Sequence, residues 1–160
     1  MKKIFSVLLV FLVLSGCTAQ SKVLTADIPL AFTADFSYDE FKGKLIRTID
    51  GKMKITYSEP DSINGMQVLF AGGKCLVTYR GMKYGCQAEK YPQSSVLRKV
   101  SSVFSQVSID KDSIKVTKLD KNLICKGNNF TIIQDCKDKS ITEIKINSDT
   151  VKLNNFTKIK

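Results

Sequence analysis

The feature that most constrains this fold is an alternation of apolar and polar residues with a period of two, repeated along most of the chain. Every second residue is apolar from Ile28 to Tyr38, and again at Met53, Ile55 and Tyr57. Because successive side chains of a strand point to opposite faces, each such run predicts a strand with one apolar face. Turn residues separate the runs about every eight to twelve residues, which is typical of an antiparallel meander.

The remaining runs extend this pattern on both sides of one non-alternating segment. They predict further strands at 44–49, 53–57, 66–70, 74–79, 83–87, 113–119, 123–125, 130–134, 141–146 and 150–156. Asp50-Gly51, Gly72-Gly73 and Gly81 supply turns between neighbouring strands. A chain of this kind is expected to pair its strands mostly with their sequence neighbours.

One segment, from Gln93 to Val107, has a helical period instead. Its apolar residues are Val96, Leu97, Val100, Val103, Phe104 and Val107, which fall on one face of a helix of about four turns. Pro92 stands where helices often begin. The predicted fold class is therefore mainly β (α+β): a curved antiparallel sheet or open half-barrel covered by one amphipathic helix, at about 92–107.

The first seventeen residues have the layout of an export signal. Lys2 and Lys3 precede an apolar run that ends at Leu14 and is shorter than the roughly 20 residues of a membrane span. Leu14-Ser15-Gly16-Cys17 resembles the lipobox of bacterial lipoproteins, which implies cleavage before Cys17 and acylation of its thiol, with palmitate a typical chain. We predict a signal peptide at 1–16, a lipidated tether at 17–27 and a single domain at 28–160.

Lipidation would place the protein on the extracytoplasmic face of a membrane. The usage of lysine, isoleucine and asparagine resembles that of a low-GC Gram-positive genome, where this is the plasma membrane. The formal charge of +10 falls to +8 once Lys2 and Lys3 are removed. A lysine-rich exported surface suits anionic headgroups or wall polymers, or serves only solubility. No nucleic-acid partner is predicted, and we expect a monomer.

Cysteine use agrees with export. Besides Cys17 the chain has an even number of cysteines, namely Cys75, Cys86, Cys125 and Cys136. Three pairings are open, and we favour Cys75–Cys86, which would face each other across a turn near Gly81, with Cys125–Cys136; free buried thiols are the alternative. The spacings lack a short zinc knuckle and there is no histidine, so no metal or other cofactor is predicted.

The sequence gives little support for catalysis. It has no histidine to act as a general base, no Gly-x-Ser-x-Gly elbow and no phosphate loop. The acidic pairs Asp35 with Asp39, and Asp110 with Asp112, stand in turn-like sequence and are interpreted as solvated. We predict that the protein is not an enzyme.

Several short motifs over about residues 28–157 resemble the lipoprotein-carrier superfamily, the LolA/LolB-like fold that includes RseB-type sensors. They are Phe32-Thr33-Ala34-Asp35-Phe36, Gly43-Lys44-Leu45, the run from Met53 to Pro60, the strand pair around Gly72-Gly73, Ile141 to Ile146, and Leu153-Asn154-Asn155-Phe156. The resemblance implies an open half-barrel that holds acyl chains beneath helices. This chain departs from the family in having no helix before the first strand and no tryptophan.

The resemblance implies a lipid or lipoprotein carrier or sensor that binds an acyl chain or another hydrophobic ligand. The residues expected to line the site are Phe32, Phe36, Ile55, Tyr57, Val68, Phe70, Val77, Tyr79, Val100 and Phe104. The same residues would also form an ordinary packed core. In that alternative the protein is an interaction module that binds another envelope protein through its surface and holds no ligand.

Overall fold

The computed structural model describes residues 24–92 and 95–159. The predicted signal peptide, Cys17 and the first part of the tether lie outside the described residues. The elements are β1 (Phe32–Tyr38), β2 (Phe41–Arg47), β3 (Met53–Glu59), β4 (Gln67–Ala71), β5 (Lys74–Tyr79), β6 (Met82–Gln87), α1 (Val96–Ile109), β7 (Lys115–Leu119), β8 (Asn122–Lys126), β9 (Phe130–Asp135), β10 (Ile141–Ile146) and β11 (Asp149–Lys158). Short 3-10 turns occupy Asp61–Ile63 and Ala88–Lys90.

All eleven strands form one open antiparallel sheet. Their order is β6-β5-β4-β3-β2-β1-β11-β10-β9-β8-β7, so two meanders meet where β1 pairs with β11. Strands β6 and β7 are the edges, since they stand at opposite ends of this order. The prediction of a mainly β, antiparallel, open sheet is confirmed, and the described residues contain one α-helix.

The distribution of buried side chains is consistent with a curved sheet or half-barrel. Ten strand spacings of about 4.8 Å would make a flat sheet about 48 Å wide. Helix α1 has 14 residues, and is therefore about 21 Å long and about 10 Å across. Nevertheless Cys75 on β5, Cys125 on β8 and Phe104 on α1 belong to the same buried cluster. A flat sheet of this width would leave β5 and β8 outside the reach of a single helix.

Helix α1 starts slightly later than the sequence predicted. Ser95 is its N-cap, and the Ser95 hydroxyl accepts a hydrogen bond from the backbone N–H of Arg98 at 3.3 Å. The predicted start at Gln93 lies outside the described residues. The six residues of the predicted apolar stripe are all buried: Val96, Leu97, Val100, Val103, Phe104 and Val107. They face the sheet, as the ring of Phe104 shows by packing 5.2 Å from that of Phe32 on β1.

The first strand is shorter than predicted, because the chain joins the sheet only at Phe32. Ala26 and Ile28 are nevertheless buried within the same core as the strands. The amide of Gln134 explains how this non-strand segment is held, since its Nε2 donates to the carbonyl oxygen of Asp27 at 3.2 Å. A side chain thus replaces the ladder hydrogen bonds that the alternation had suggested.

Candidate functional site

The side chains that point from the sheet toward α1 form what we call the inner face. All ten residues predicted to line a ligand site lie on it or on the buried side of α1. Eight of the ten are buried, and Val77 and Tyr79 on β5 are half-buried. The structure thus places the ten residues on one side of the sheet and on the helix that covers it, and their role in ligand binding stays a prediction.

Phe32 lies at the centre of the inner face. Its ring stacks on that of Phe156 with centroids 4.9 Å apart and meets the ring of Phe104 at 5.2 Å. Ring pairs at such distances add stabilisation beyond the area that they bury. The helix is thus fixed to the middle of the sheet by aromatic contacts.

Among the described residues, Arg47 is the one charged residue of the inner face that is buried, and sequence reasoning missed it. It is only 6% exposed, and its guanidinium carbon lies 5.0 Å from the centroid of the Phe104 ring. The guanidinium donates to the carbonyl oxygen of Leu30, and no carboxylate of the described residues forms an ion pair with it. Burial lowers the pKa of Arg47 below its ordinary value. Arg47 stands two residues after Leu45 on β2, so the alternation in the sequence would have placed it on the same apolar face.

Gly43 on β2 has no side chain, so the rings of Phe36 on β1 and Tyr57 on β3 can meet above it. It stands opposite Phe36 on β1 and opposite Tyr57 on β3, and the two rings meet edge to face with centroids 5.8 Å apart. A Cβ atom at Gly43 would lie 2.2 Å from the carbonyl oxygen of Thr56. Phe36 and Tyr57 also border a cleft of about 680 Å³, but most of its lining is polar, including Asp35, Lys44 and Thr56. Burial raises the pKa of Tyr57 to about 12, so its hydroxyl stays neutral.

The inner face continues beyond α1 onto the edge strand β6. Met82 stands opposite Tyr79 and Tyr84 opposite Val77, so both belong to this face, yet each is 67% exposed. A cleft of about 630 Å³ adjoins this end and is lined in part by Tyr84 and Cys75. Sequence reasoning missed both residues, although the register that the turn at Gly81 imposes would have placed them. Exposed apolar side chains here extend the buried inner face to solvent.

A polar cluster, which we call the clasp, joins α1 to the two middle strands, where β1 ends at Tyr38 and β11 begins at Asp149. Lys99 on α1 donates to Oδ2 of Asp149 at 2.7 Å and to the hydroxyl of Tyr38 at 2.6 Å. The Tyr38 hydroxyl in turn donates to Oδ1 of Asp149 at 2.9 Å. These hydrogen bonds hold the pKa of Asp149 below its ordinary value. Burial opposes the charge of Lys99, but its bonds to Asp149 and Tyr38 outweigh burial and raise its pKa.

The predicted disulfides are absent, because all four described cysteines are free thiols. The hairpin geometry is confirmed for one pair, since Cys75 stands directly opposite Cys86 across β5 and β6. Burial is the main cause that raises the pKa of Cys75 to about 12, and the neighbouring Cys86 thiol adds to the effect.

The other predicted cysteine pair is wrong in its geometry. Cys125 stands opposite Ile132, four residues before Cys136, and this separation is about 13 Å along a strand. A disulfide needs Cα atoms within about 7 Å of each other. Cys125 instead directs its thiol to the Oε1 atom of Gln134 at 3.4 Å, and burial raises its pKa to about 11.

The acidic pairs singled out in the sequence lie on the surface. Asp35, Asp39, Asp110 and Asp112 are all exposed, and Asp35 accepts a hydrogen bond from Asn155 at 2.7 Å. Within residues 24–92 and 95–159, no group of three or more histidine, cysteine or acidic residues is arranged to hold a metal ion. The same part of the chain contains no helix long and apolar enough to span a membrane.

Two solved structures are similar to this chain at very low sequence identity. An uncharacterised conserved protein from Thermus thermophilus is 7% identical, with 82% of this chain and 80% of that chain covered, at a TM-score of 0.48. A LolA superfamily protein from Nitrosomonas europaea is 8% identical, with 87% and 90% covered, at a TM-score of 0.40. No family model and no curated protein matches the sequence. Since both TM-scores are too low to assign a family, membership of the carrier superfamily stays a prediction.

Proposed function

We propose that this protein is a membrane-anchored, non-enzymatic lipoprotein that binds an acyl chain or a similar apolar group between α1 and the inner face. The observation that carries the proposal is the continuity of the inner face. Apolar side chains run from buried Phe32 and Phe104 in the centre to the half-buried Val77 and the exposed Tyr84 at the edge. An apolar ligand could therefore move from solvent to the centre without crossing a polar barrier.

Binding requires α1 to loosen, because the centre of the inner face is packed against the helix. Each methylene that leaves water contributes about 0.8 kcal/mol, so a long acyl chain can offset the loss of helix contacts. Only one helix covers the sheet in the described residues, and the edge strands β6 and β7 each pair with a single neighbouring strand. Movement of a single element would open the site.

The membrane anchor is the part of the proposal that depends on the sequence alone. Cleavage before Cys17 would leave a short tether ahead of Leu24, the first described residue. Two or three acyl chains on Cys17 would hold the protein durably on the outer face of the plasma membrane. The test is incorporation of a palmitate analogue in cells. Wild-type protein is expected to be labelled and membrane-bound, and Cys17→Ser to be unlabelled and released or unprocessed.

Ligand binding is tested by native mass spectrometry of residues 21–160, which include every described residue. We expect a co-purifying acyl species, and uptake of a fluorescent fatty acid by protein from which that species has been extracted. Tyr84→Asp places a charge on the exposed end of the inner face without disturbing the core, and should weaken uptake. Ile49→Asp is the matched control, since Ile49 is also largely exposed, at 78% against 67% for Tyr84, but lies in the β2–β3 turn, away from the inner face.

Two outcomes would contradict the binding proposal. One is a clean mass with no uptake of fatty acid by the folded wild-type domain. The other is equal uptake by Tyr84→Asp, Phe104→Asp and wild type, because it would place the probe outside the inner face. Circular dichroism of each variant shows whether it is folded, so that a loss of uptake is interpreted only for folded protein.

The exposed edge favours a second candidate function, that of a surface that binds another envelope protein. An open edge strand offers unpaired backbone groups, and Met82 and Tyr84 add apolar area beside it. In this case the core stays packed and takes up no lipid. A Met82→Lys variant would then lose a partner that is captured by cross-linking in cells, while fatty acid uptake would be absent from both proteins.

A further inference from the structure

The contacts that hold α1 on the sheet are of two kinds. Its buried face makes apolar contacts, such as Phe104 against Phe32, that change gradually as the helix moves. The clasp is directional, and hydrogen bonds of 2.6 to 2.7 Å are lost when donor and acceptor separate by about 1 Å. Among the described residues, Lys99 with Asp149 is the only ion pair that joins α1 to the sheet.

The clasp is also better shielded from water than the other ion pairs. The side chains of Lys99 and Asp149 are 17% and 31% exposed, whereas those of Lys42 and Glu59 are 55% and 50% exposed. Shielding strengthens an ion pair relative to a fully solvated one. Tyr38 adds a third member that bonds to both charges and lies beneath the ammonium group, with 4.8 Å from Lys99 Nζ to the ring centroid.

Lys99 lies at the end of α1 that is next to the open part of the inner face. Lys99 is the fourth residue of α1, so the clasp fixes the amino-terminal end of the helix. The segment just before this end lies beside the open part of the inner face, where Tyr91 packs edge-on against Phe70 with centroids 5.4 Å apart. Cys75, which stands opposite Phe70, is buried at the same place. Release of this helix end would uncover the route from the exposed edge to the centre.

We propose that Lys99, Asp149 and Tyr38 form a lock that keeps the amino-terminal end of α1 closed over the inner face, and that its release admits the ligand. This inference rests on the proposed function for the ligand, but the closure of α1 can be measured without one. When the clasp is released, only the amino-terminal end of α1 lifts, while Phe104 and the β8–β10 side of the core remain packed.

The native cysteines report on this opening. Cys75 is buried opposite Phe70, whose ring packs against Tyr91 in the segment that leads into α1, and Cys125 is buried on β8, toward the other end of the sheet. Cys86 and Cys136 are half-buried. Full-length protein in membrane vesicles is treated with N-ethylmaleimide, and the modification of each cysteine is followed by mass spectrometry of its peptide. The rate at a buried thiol reports how often its surroundings open.

Asp149→Asn keeps the shape of the side chain and removes its charge. We expect the population of the open state to rise about fivefold, so that Cys75 reacts about fivefold faster than in wild type. The rate at Cys125 should not change. Lys99→Met should give a similar result. Glu143→Gln is the matched control, because it removes an ion pair with Lys145 on β10 that does not involve α1.

The outcomes separate the lock from global stability and from the proposed function. An unchanged Cys75 rate in both clasp variants would overturn the lock, and so would equal acceleration of Cys75 and Cys125, since that pattern reports general unfolding. Faster uptake of a fluorescent fatty acid by Asp149→Asn would support both proposals. Faster Cys75 labelling with no uptake in any variant would support the lock and contradict acyl binding.

Discussion

Truncation of Phe104 to alanine tests whether the inner face is packed without a ligand. The Phe104 ring is fully buried and contacts Phe32 at 5.2 Å and the guanidinium of Arg47 at 5.0 Å. Removing a buried phenylalanine ring costs about 3 to 5 kcal/mol, and this figure already includes the ring contacts. The neighbouring Arg47 also loses its aromatic partner, so we expect a loss of about 4 kcal/mol in the free energy of unfolding.

Urea unfolding followed by circular dichroism measures this loss, and the matching fall in Tm should be roughly 8 to 16 °C. Ile109→Ala on the same helix is the control, because Ile109 is 85% exposed and its truncation should change stability by less than about 0.5 kcal/mol. A loss below about 1.5 kcal/mol for Phe104→Ala would refute the reasoning. It would mean that the ring already borders empty space in the unliganded protein.

Three further predictions follow from the same contacts. Gly43→Ala should destabilise the fold by about 1 to 3 kcal/mol in urea unfolding, because its Cβ would lie 2.2 Å from a backbone oxygen, while Gly85→Ala, with nothing nearer than 3.9 Å, should be nearly neutral; equal effects would contradict the close approach at Gly43. Gln134→Leu should cost about 0.5 to 1.5 kcal/mol for each of the hydrogen bonds that it removes, to the carbonyl oxygens of Asp27 and Lys139, and should speed proteolysis of the segment around Asp27. Unchanged proteolysis would show that the amide does not hold that segment. The stabilisation from the clasp should be fully present between the ordinary pKa values of Asp149 and Lys99, 3.8 and 10.5. It should be lost as the pH falls through the lowered pKa of Asp149 or rises through the raised pKa of Lys99; a difference in unfolding free energy between wild type and Asp149→Asn that does not shrink in acid would contradict this assignment.

The predicted elements came from local pattern, and local pattern sufficed for most of them. The turn at Gly81 fixed a hairpin register that places Cys75 opposite Cys86, as predicted. Where a local signal was ambiguous, the prediction failed: the alternation from Ile28 continued past the true start of β1 because buried non-strand residues can show the same period. A period of two reports which side chains are buried, and does not report which backbone groups are paired.

The sequence by itself determined that this chain forms short antiparallel strands with one apolar face and one helix to cover them, because both periods are properties of neighbouring residues. Only the tertiary structure decided that β1 pairs with β11, that Lys99 meets Asp149, and that Arg47 is buried beneath Phe104. Each of these contacts joins residues that are far apart in the chain, so no local period encodes it. The packing of α1 onto the curved sheet selects them, and the candidate site consists of such contacts.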